Sequence, residues 1–600
     1  MQPEKREIVR HELQTEDRPS GSPQNNYSDE LYVHDSSLDY KGDLPLRAST
    51  GSWKAAGFFI STEFIERLGY FSISSNLITY LTTVMHQDLE TAVNSVNTWA
   101  GVSLVMPIFG GFLGDSYVGR FYIALFSSLL YVLVLCLFIM TQYIPSLKPC
   151  NNSYGTILTT CQNASKIHKA TFFTAAYLLS IATGGLRPCL EAFGADQFDD
   201  NHLEERKQKM SYFNWWIFAL HAGGILGLTV IVYIEDNVGW GVAFIILASA
   251  MGFIVVIFIS GRTLYRYKTV KGSPLTPMFM VLVAALAKRN LPNPSDSSLL
   301  NEVLVSQKVR RLHHTNRLRF LDKAAIVEEQ ERGPWRLATV TQVEELKLII
   351  NMIPIWLSCL VFGIGIAQTH TFFIKQGSVM HRRLSRKFEI PPASVNALVF
   401  MSTAVVIPIY DKLLIPYLRR VRGNERGLSI LNRIAIGMVL LIVSMVVSAL
   451  VERKRLLALQ NGTMFSVFWL VPQTLIFGIG DAFSIVGLQE LFYEQAPDSM
   501  KSLGMAFCLS INGVGSFLSS LLIIIVNAVT GKNGGKKWIG KDVNHSRLDY
   551  FYWLLTVIFV MNMGVFIFLV KGNNRYKNVQ RFVTVSESDE GNKGEEHAYI

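Results

Sequence analysis

Four uncharged or nearly uncharged apolar runs, each about 20 residues long, limit this chain more than any other feature. They are "FYIALFSSLLYVLVLCLFIM" (121–140), "GVAFIILASAMGFIVVIFIS" (241–260), "IAIGMVLLIVSMVVSAL" (434–450) and "YFYWLLTVIFVMNMGVFIFLV" (550–570). A run of that length reaches across a hydrocarbon core of roughly 30 Å. Inside lipid each backbone N–H and C=O must find its partner within the chain, so such runs are expected as helices. Counting segments broken by Gly, Pro or a few polar residues gives about twelve spans. Composition agrees: 50% of the residues are hydrophobic and 17% charged, against about 25% charged in soluble domains. The expectation is an all-α, multi-pass integral membrane protein whose immediate partner is lipid. The first 50 residues are polar, with no apolar h-region behind a basic n-region, so no cleavable signal peptide is expected.

The net charge of +10 fits basic loops that hold a cytosolic face better than it fits nucleic acid. Lys and Arg concentrate after the sixth span, in "GRTLYRYKTVKG" and "QKVRRLHHTNRLRF". The expected organisation is a cytosolic tail (1–50), six spans (51–262), a cytosolic loop (263–342), six further spans (343–571) and an acidic cytosolic tail (572–600). Glycosylation sequons at Asn151, Asn163, Asn461 and Asn544 then fall in outer loops, whereas that at Asn26 falls in a cytosolic tail. Cys150 and Cys161 share one outer loop and form a candidate disulfide; the other four cysteines sit in apolar spans. No metal-ligand spacing, nucleophile elbow or phosphate-binding loop is present, so neither a metal, a cofactor nor an enzymatic activity is expected.

Charges inside spans are candidates for function, because one at mid-bilayer costs at least about 2.5–3.5 kcal/mol. In "STEFIERLGYFSISSNLITYL" (61–81), Glu63, Glu66, Arg67 and Tyr70 share one helical face. One Arg and one Glu could simply pin two helices together; a second Glu leaves an excess acid that could carry a proton. Arg187 follows two glycines and precedes a proline, which predicts a locally open helix. Asp481 follows "GIG" in the opposite half. A cation in one bundle and an acid in the other could pair across a cavity in one state and part in another. His221 is the weakest candidate and reads better as a satisfied core or near-interface histidine than as a proton relay.

Six spans, a loop and six spans match the layout of the major facilitator superfamily, in which two six-helix bundles rock around a central cavity. "GGFLGDSYVGR" resembles that superfamily's cytosolic gate motif through Gly111, Asp115, Gly119 and Arg120. "EFIERLGYF" resembles the E-x-x-E-R-F-x-Y-Y signature of proton-coupled oligopeptide transporters. "GGLRPCLEAFGADQFDD", "RFLDKAAIVE", "TVTQVEELKLIINMIPIW", "FEIPPAS" and "GLQELFYEQAPDSMKSLG" resemble motifs of the plant nitrate/peptide transporter family, from about Leu38 to Arg575. The resemblance implies that Glu63, Glu66 and Arg67 couple transport to protons, that Tyr70 faces substrate, and that Arg187 and Asp481 gate or bind it. It also implies proton symport of nitrate, a small peptide or another organic anion, in a plasma or vacuolar membrane. Carriage of plant hormones or specialised metabolites, or substrate sensing, are the alternatives. Four positions depart from the family pattern: Arg187 stands for the usual lysine, Asp481 for glutamate and Phe71 for a tyrosine, and Ile366 stands where a nitrate-linked histidine is found.

Overall fold

The apolar runs become helices because only an internally bonded backbone is stable in lipid. The computed structural model describes residues 31–571, except 150–163, 293–299, 302–310, 328–332, 423–427, 496–500, 533–535 and positions 34, 36, 201, 271, 274, 313, 334 and 387; it also describes 582–583. Cys150, Cys161, Asn26, Asn151 and Asn163 therefore lie outside the described residues. Asn461 and Asn544 are exposed, although the Asn544 side-chain carbonyl accepts a hydrogen bond from Arg455 Nη1 at 2.8 Å.

Among the described residues, twelve long helices form two six-helix bundles. The first bundle comprises α1 (Ser52–Thr83), α2 (Leu89–Val118), α3 (Arg120–Tyr143), α4 (Lys166–Ala195), α5 (Leu203–Asn237) and α6 (Trp240–Thr263). The second comprises α7 (Val340–Ser378), α8 (Pro392–Leu418), α9 (Ile430–Gln460), α10 (Val467–Phe492), α11 (Gly504–Thr530) and α12 (Leu548–Leu569). Ten of these are apolar enough, as well as long enough, to mark themselves as spans. The two that are not, α1 and α4, have 32 and 30 residues. They carry the Glu63/Glu66/Arg67 stripe and Arg187, so the helices least like membrane spans in composition hold the charged centre.

The glycines beside Arg187 do not open its helix. α4 runs unbroken from Lys166 to Ala195 with Pro188 inside it. A Cβ on Gly184 would lie 2.5 Å from Met106 Cβ of α2, and one on Gly185 would lie 2.2 Å from Ser127 Oγ of α3. The glycines before Asp481 serve the same end: a Cβ on Gly480 would come within 3.1 Å of the Gly437 carbonyl of α9. Small residues here permit close helix approach. Gly184→Val is accordingly expected to destabilise the first bundle by about 1–3 kcal/mol through overpacking, read as a lowered Tm of the purified protein.

The bundles are tied on the side away from the basic loop. Asn97 Nδ2 of α2 donates to Ser519 Oγ of α11 at 3.2 Å, and Lys375 Nζ of α7 donates to Thr82 Oγ1 of α1 at 2.9 Å. Lys537 pairs with Glu90 at 3.1 Å. These contacts join the two bundles on that face.

On the face of the basic loop, part of the expected N-terminal tail is docked. Arg47 binds Asp199 at 2.9 Å and Glu205 at 2.6 Å, and the wholly buried Arg266 binds the other Glu205 oxygen at 2.6 Å. Gly51, at φ 66°, passes so close to Arg266 that a Cβ would lie 2.3 Å from its Nε. The basic loop is likewise pinned to the start of α7: Lys347 Nζ lies 2.6 Å from Asp322 and 2.7 Å from Glu344. His314 joins those two acids in a group of three ligand atoms within 4.8 Å of one another, but the cation at its centre is the chain's own ammonium.

Candidate functional site

The stripe expected on α1 does form one face. Glu63 and Glu66 are fully buried, which is tolerable only because two arginines answer them. Arg67 Nε donates to Glu63 Oε1 at 2.6 Å, one helical turn back, and stands 3.5 Å from Glu66 Oε2. The other oxygen of Glu66 belongs to a second helix: Arg187 of α4 reaches it through Nη2 at 2.9 Å and Nε at 3.1 Å. Glu66 therefore sits between two cations and Glu63 beside one, and the Oε2 of each is buried without a hydrogen-bond partner among the described residues.

Tyr70 completes the group as a platform. Its ring carries the Arg187 guanidinium 3.8 Å above its centroid and stacks on Trp99 of α2 at 5.7 Å. The planar cation is held by a carboxylate at its edge and an aromatic face beneath it, a pairing suited to arginine and poorly matched by lysine. In this state Tyr70 is 5% exposed, and Arg187 covers it. The next residue, Phe71, meets Phe400 of α8 edge-to-face at 4.6 Å. The position that departs from the signature thus forms an apolar contact between the bundles. Ile366 packs against the core.

Arg187 and Asp481 are not paired here. Arg187 is engaged by Glu66, and Asp481 Oδ1 is buried with no hydrogen-bond partner among the described residues. His221, half-buried, donates from Nδ1 to the Ile217 carbonyl at 2.9 Å, and its ring centroid lies 6.5 Å from that of Phe400.

The gate motif closes on its own bundle. Arg120 Nε donates to Asp115 Oδ1 at 2.7 Å, and its Nη1 pairs with Asp196 at the end of α4. Gly119 adopts φ 93° at the turn into α3, a conformation glycine alone adopts freely. Gly111 faces Pro188 of α4, where a Cβ would touch Pro188 Cβ at 3.3 Å. α2, α3 and α4 are thereby fixed together at their ends nearest the basic loop.

One charged residue of this centre was not singled out from the sequence. Glu191 stands one turn beyond Arg187 on α4, is exposed, and has Glu63 and Arg67 as its charged neighbours. Its signal was the i, i+4 spacing from Arg187 on one helical face.

Three comparisons bear on the site. The sequence model of the POT family matches residues 121–539. Two Arabidopsis thaliana proteins, Protein NRT1/ PTR FAMILY 5.6 and 5.7, are each 50% identical to the chain; the alignments cover 93% and 94% of this chain and 97% and 95% of theirs. Among solved structures, an auto inhibited POT family peptide transporter superposes with a TM-score of 0.63 at 17% identity, covering 90% of this chain and 99% of its own. The POT family transporter PepTSo gives 0.62 at 18% identity, over 87% and 98%. At those identities the structural likeness concerns the fold.

Proposed function

Because this chain belongs to the POT family, with close plant relatives in the NRT1/PTR group, we propose that it is a proton-coupled symporter of a small solute, nitrate or a small peptide. The observation that carries the reading is Glu66, a fully buried carboxylate held between Arg187 at 2.9 Å and Arg67 at 3.5 Å. A proton arriving on Glu66 removes the charge that holds Arg187. The guanidinium is then free for a substrate carboxylate or for Asp481 in the other bundle. Each such exchange favours a different arrangement of the two bundles, so proton occupancy and bundle position become linked.

The magnitudes suit a switch. Carrying a two-state equilibrium from 1:99 to 99:1 takes about 5.5 kcal/mol. Breaking one partner of a buried ion pair is worth roughly 3–5 kcal/mol. One proton on one well-placed carboxylate supplies most of that swing.

Substrate-induced current in oocytes, at acid and neutral external pH, tests the reading with nitrate, chloride and dipeptides as the panel. An inward current that grows in acid is the expected result. Its absence with every panel member, despite surface expression, overturns electrogenic symport of these solutes.

A further inference from the structure

The acids and bases singled out in the spans of the two bundles do not balance. Arg67 answers Glu63 and Arg187 answers Glu66, which leaves two acids over. One is Asp481 of α10, whose Oδ1 is buried and without a hydrogen-bond partner. The other is Glu191 of α4, which makes no hydrogen bond or ion pair with a described residue.

Glu191 faces the crevice between the bundles rather than lipid. α1 and α4 are antiparallel neighbours, and Arg187 meets Glu66 across them. One turn toward the cytosol on each helix puts Glu191 level with Glu63, and Glu63 and Arg67 are its charged neighbours. It is nevertheless exposed, so the space in front of it is open to water on the side opposite the ties between the bundles. The unpartnered Oε2 of the fully buried Glu63 adds a further acceptor at this level.

We infer that Glu191 is a substrate-binding residue that makes this transporter select solutes of net positive charge, such as dipeptides with an ammonium or guanidinium side chain, in preference to acidic dipeptides, nitrate and other small anions. This rests on the transport reading and narrows it. A lone anion entering the site meets acids without an ion-pair partner among the described residues, while Arg67 and Arg187 are already held by carboxylates. A cationic solute meets Glu191 and Asp481 as free acceptors, with Arg187 released by Glu66 available for a carboxylate at its other end. Specificity then comes from repulsion of the wrong charge as much as from attraction of the right one.

The test uses full-length protein purified in detergent. Thermal stabilisation is titrated with alanyl-lysine, alanyl-glutamate and potassium nitrate, for wild type, Glu191→Gln and Glu191→Asp. Alanyl-lysine is expected to stabilise the wild type at the lowest concentration. Glu191→Gln is expected to raise that concentration about tenfold, the worth of one hydrogen bond to a charged group, and to erase the preference over alanyl-glutamate. Glu191→Asp, which keeps the charge, is expected to keep the preference even if Glu191→Gln folds poorly. The inference is overturned if nitrate or alanyl-glutamate stabilises as well as alanyl-lysine, if none of the three stabilises, or if the preference survives Glu191→Gln. Uptake of alanyl-lysine into proteoliposomes, with and without an inward proton gradient, separates the two readings. A Glu191-dependent charge preference with gradient-insensitive uptake would sink symport and leave the selectivity standing.

Discussion

Glu66→Gln is expected to reduce gradient-driven uptake to background while leaving a folded protein in the membrane that still exchanges substrate across it. Glutamine keeps the size of the side chain and an oxygen that can accept from Arg187, so the packing beneath Tyr70 and Trp99 survives. It cannot gain or lose a charge, and the Arg187 and Arg67 guanidiniums, 2.9 and 3.5 Å from the Glu66 oxygens, no longer feel a proton arrive or leave. The measurement is paired: concentrative uptake under an inward proton gradient, and counterflow with no gradient. Loss of both would indicate a structural role for Glu66, and undiminished acid-stimulated uptake would remove it from coupling.

Glu205→Ala is expected to give the largest loss of stability, roughly 3–5 kcal/mol. Glu205 is held by Arg47 at 2.6 Å and by Arg266 at 2.6 Å. Arg266 is fully buried, and among the described residues both of its contacts to a carboxylate are to Glu205. The Gly51 turn packs on Arg266, so the docked N-terminal segment should loosen with it. The control is Lys207→Ala, which removes the neighbouring surface pair with Glu204 at 2.9 Å; such exposed pairs are worth about 0–1 kcal/mol. Thermal unfolding of the purified variants checks both. Equal Tm values for the two would contradict the ranking.

The sequence shows the fold where periodicity and hydropathy are strong, and shows the site only within one helix at a time. Glu63, Glu66, Arg67 and Tyr70 were legible as one face because their spacing is local. The bond between Glu66 and Arg187 spans 121 residues, and nothing in the spacing of either segment encodes it; the expected partner of Arg187 was Asp481, in the other bundle. Reading Gly184 and Gly185 as helix openers failed because glycine serves two ends, conformational freedom and close approach. Only the presence of Met106 and Ser127 beside them decides between the two. Glu191 was in plain view inside a motif, but its meaning depends on Arg187 being already taken. The Arg47–Glu205–Arg266 cluster joins a terminal segment, a helix start and a loop, each of which reads alone as an ordinary charged surface.

The central claim is that a proton travels with the substrate. Its most direct measurement is the internal pH of proteoliposomes loaded with a fluorescent pH indicator, with the membrane potential clamped inside-negative, when alanyl-lysine or nitrate is added outside. Substrate entry accompanied by internal acidification, present in the wild type and absent in Glu66→Gln, is the predicted result. Substrate entry with no change in internal pH would contradict the account.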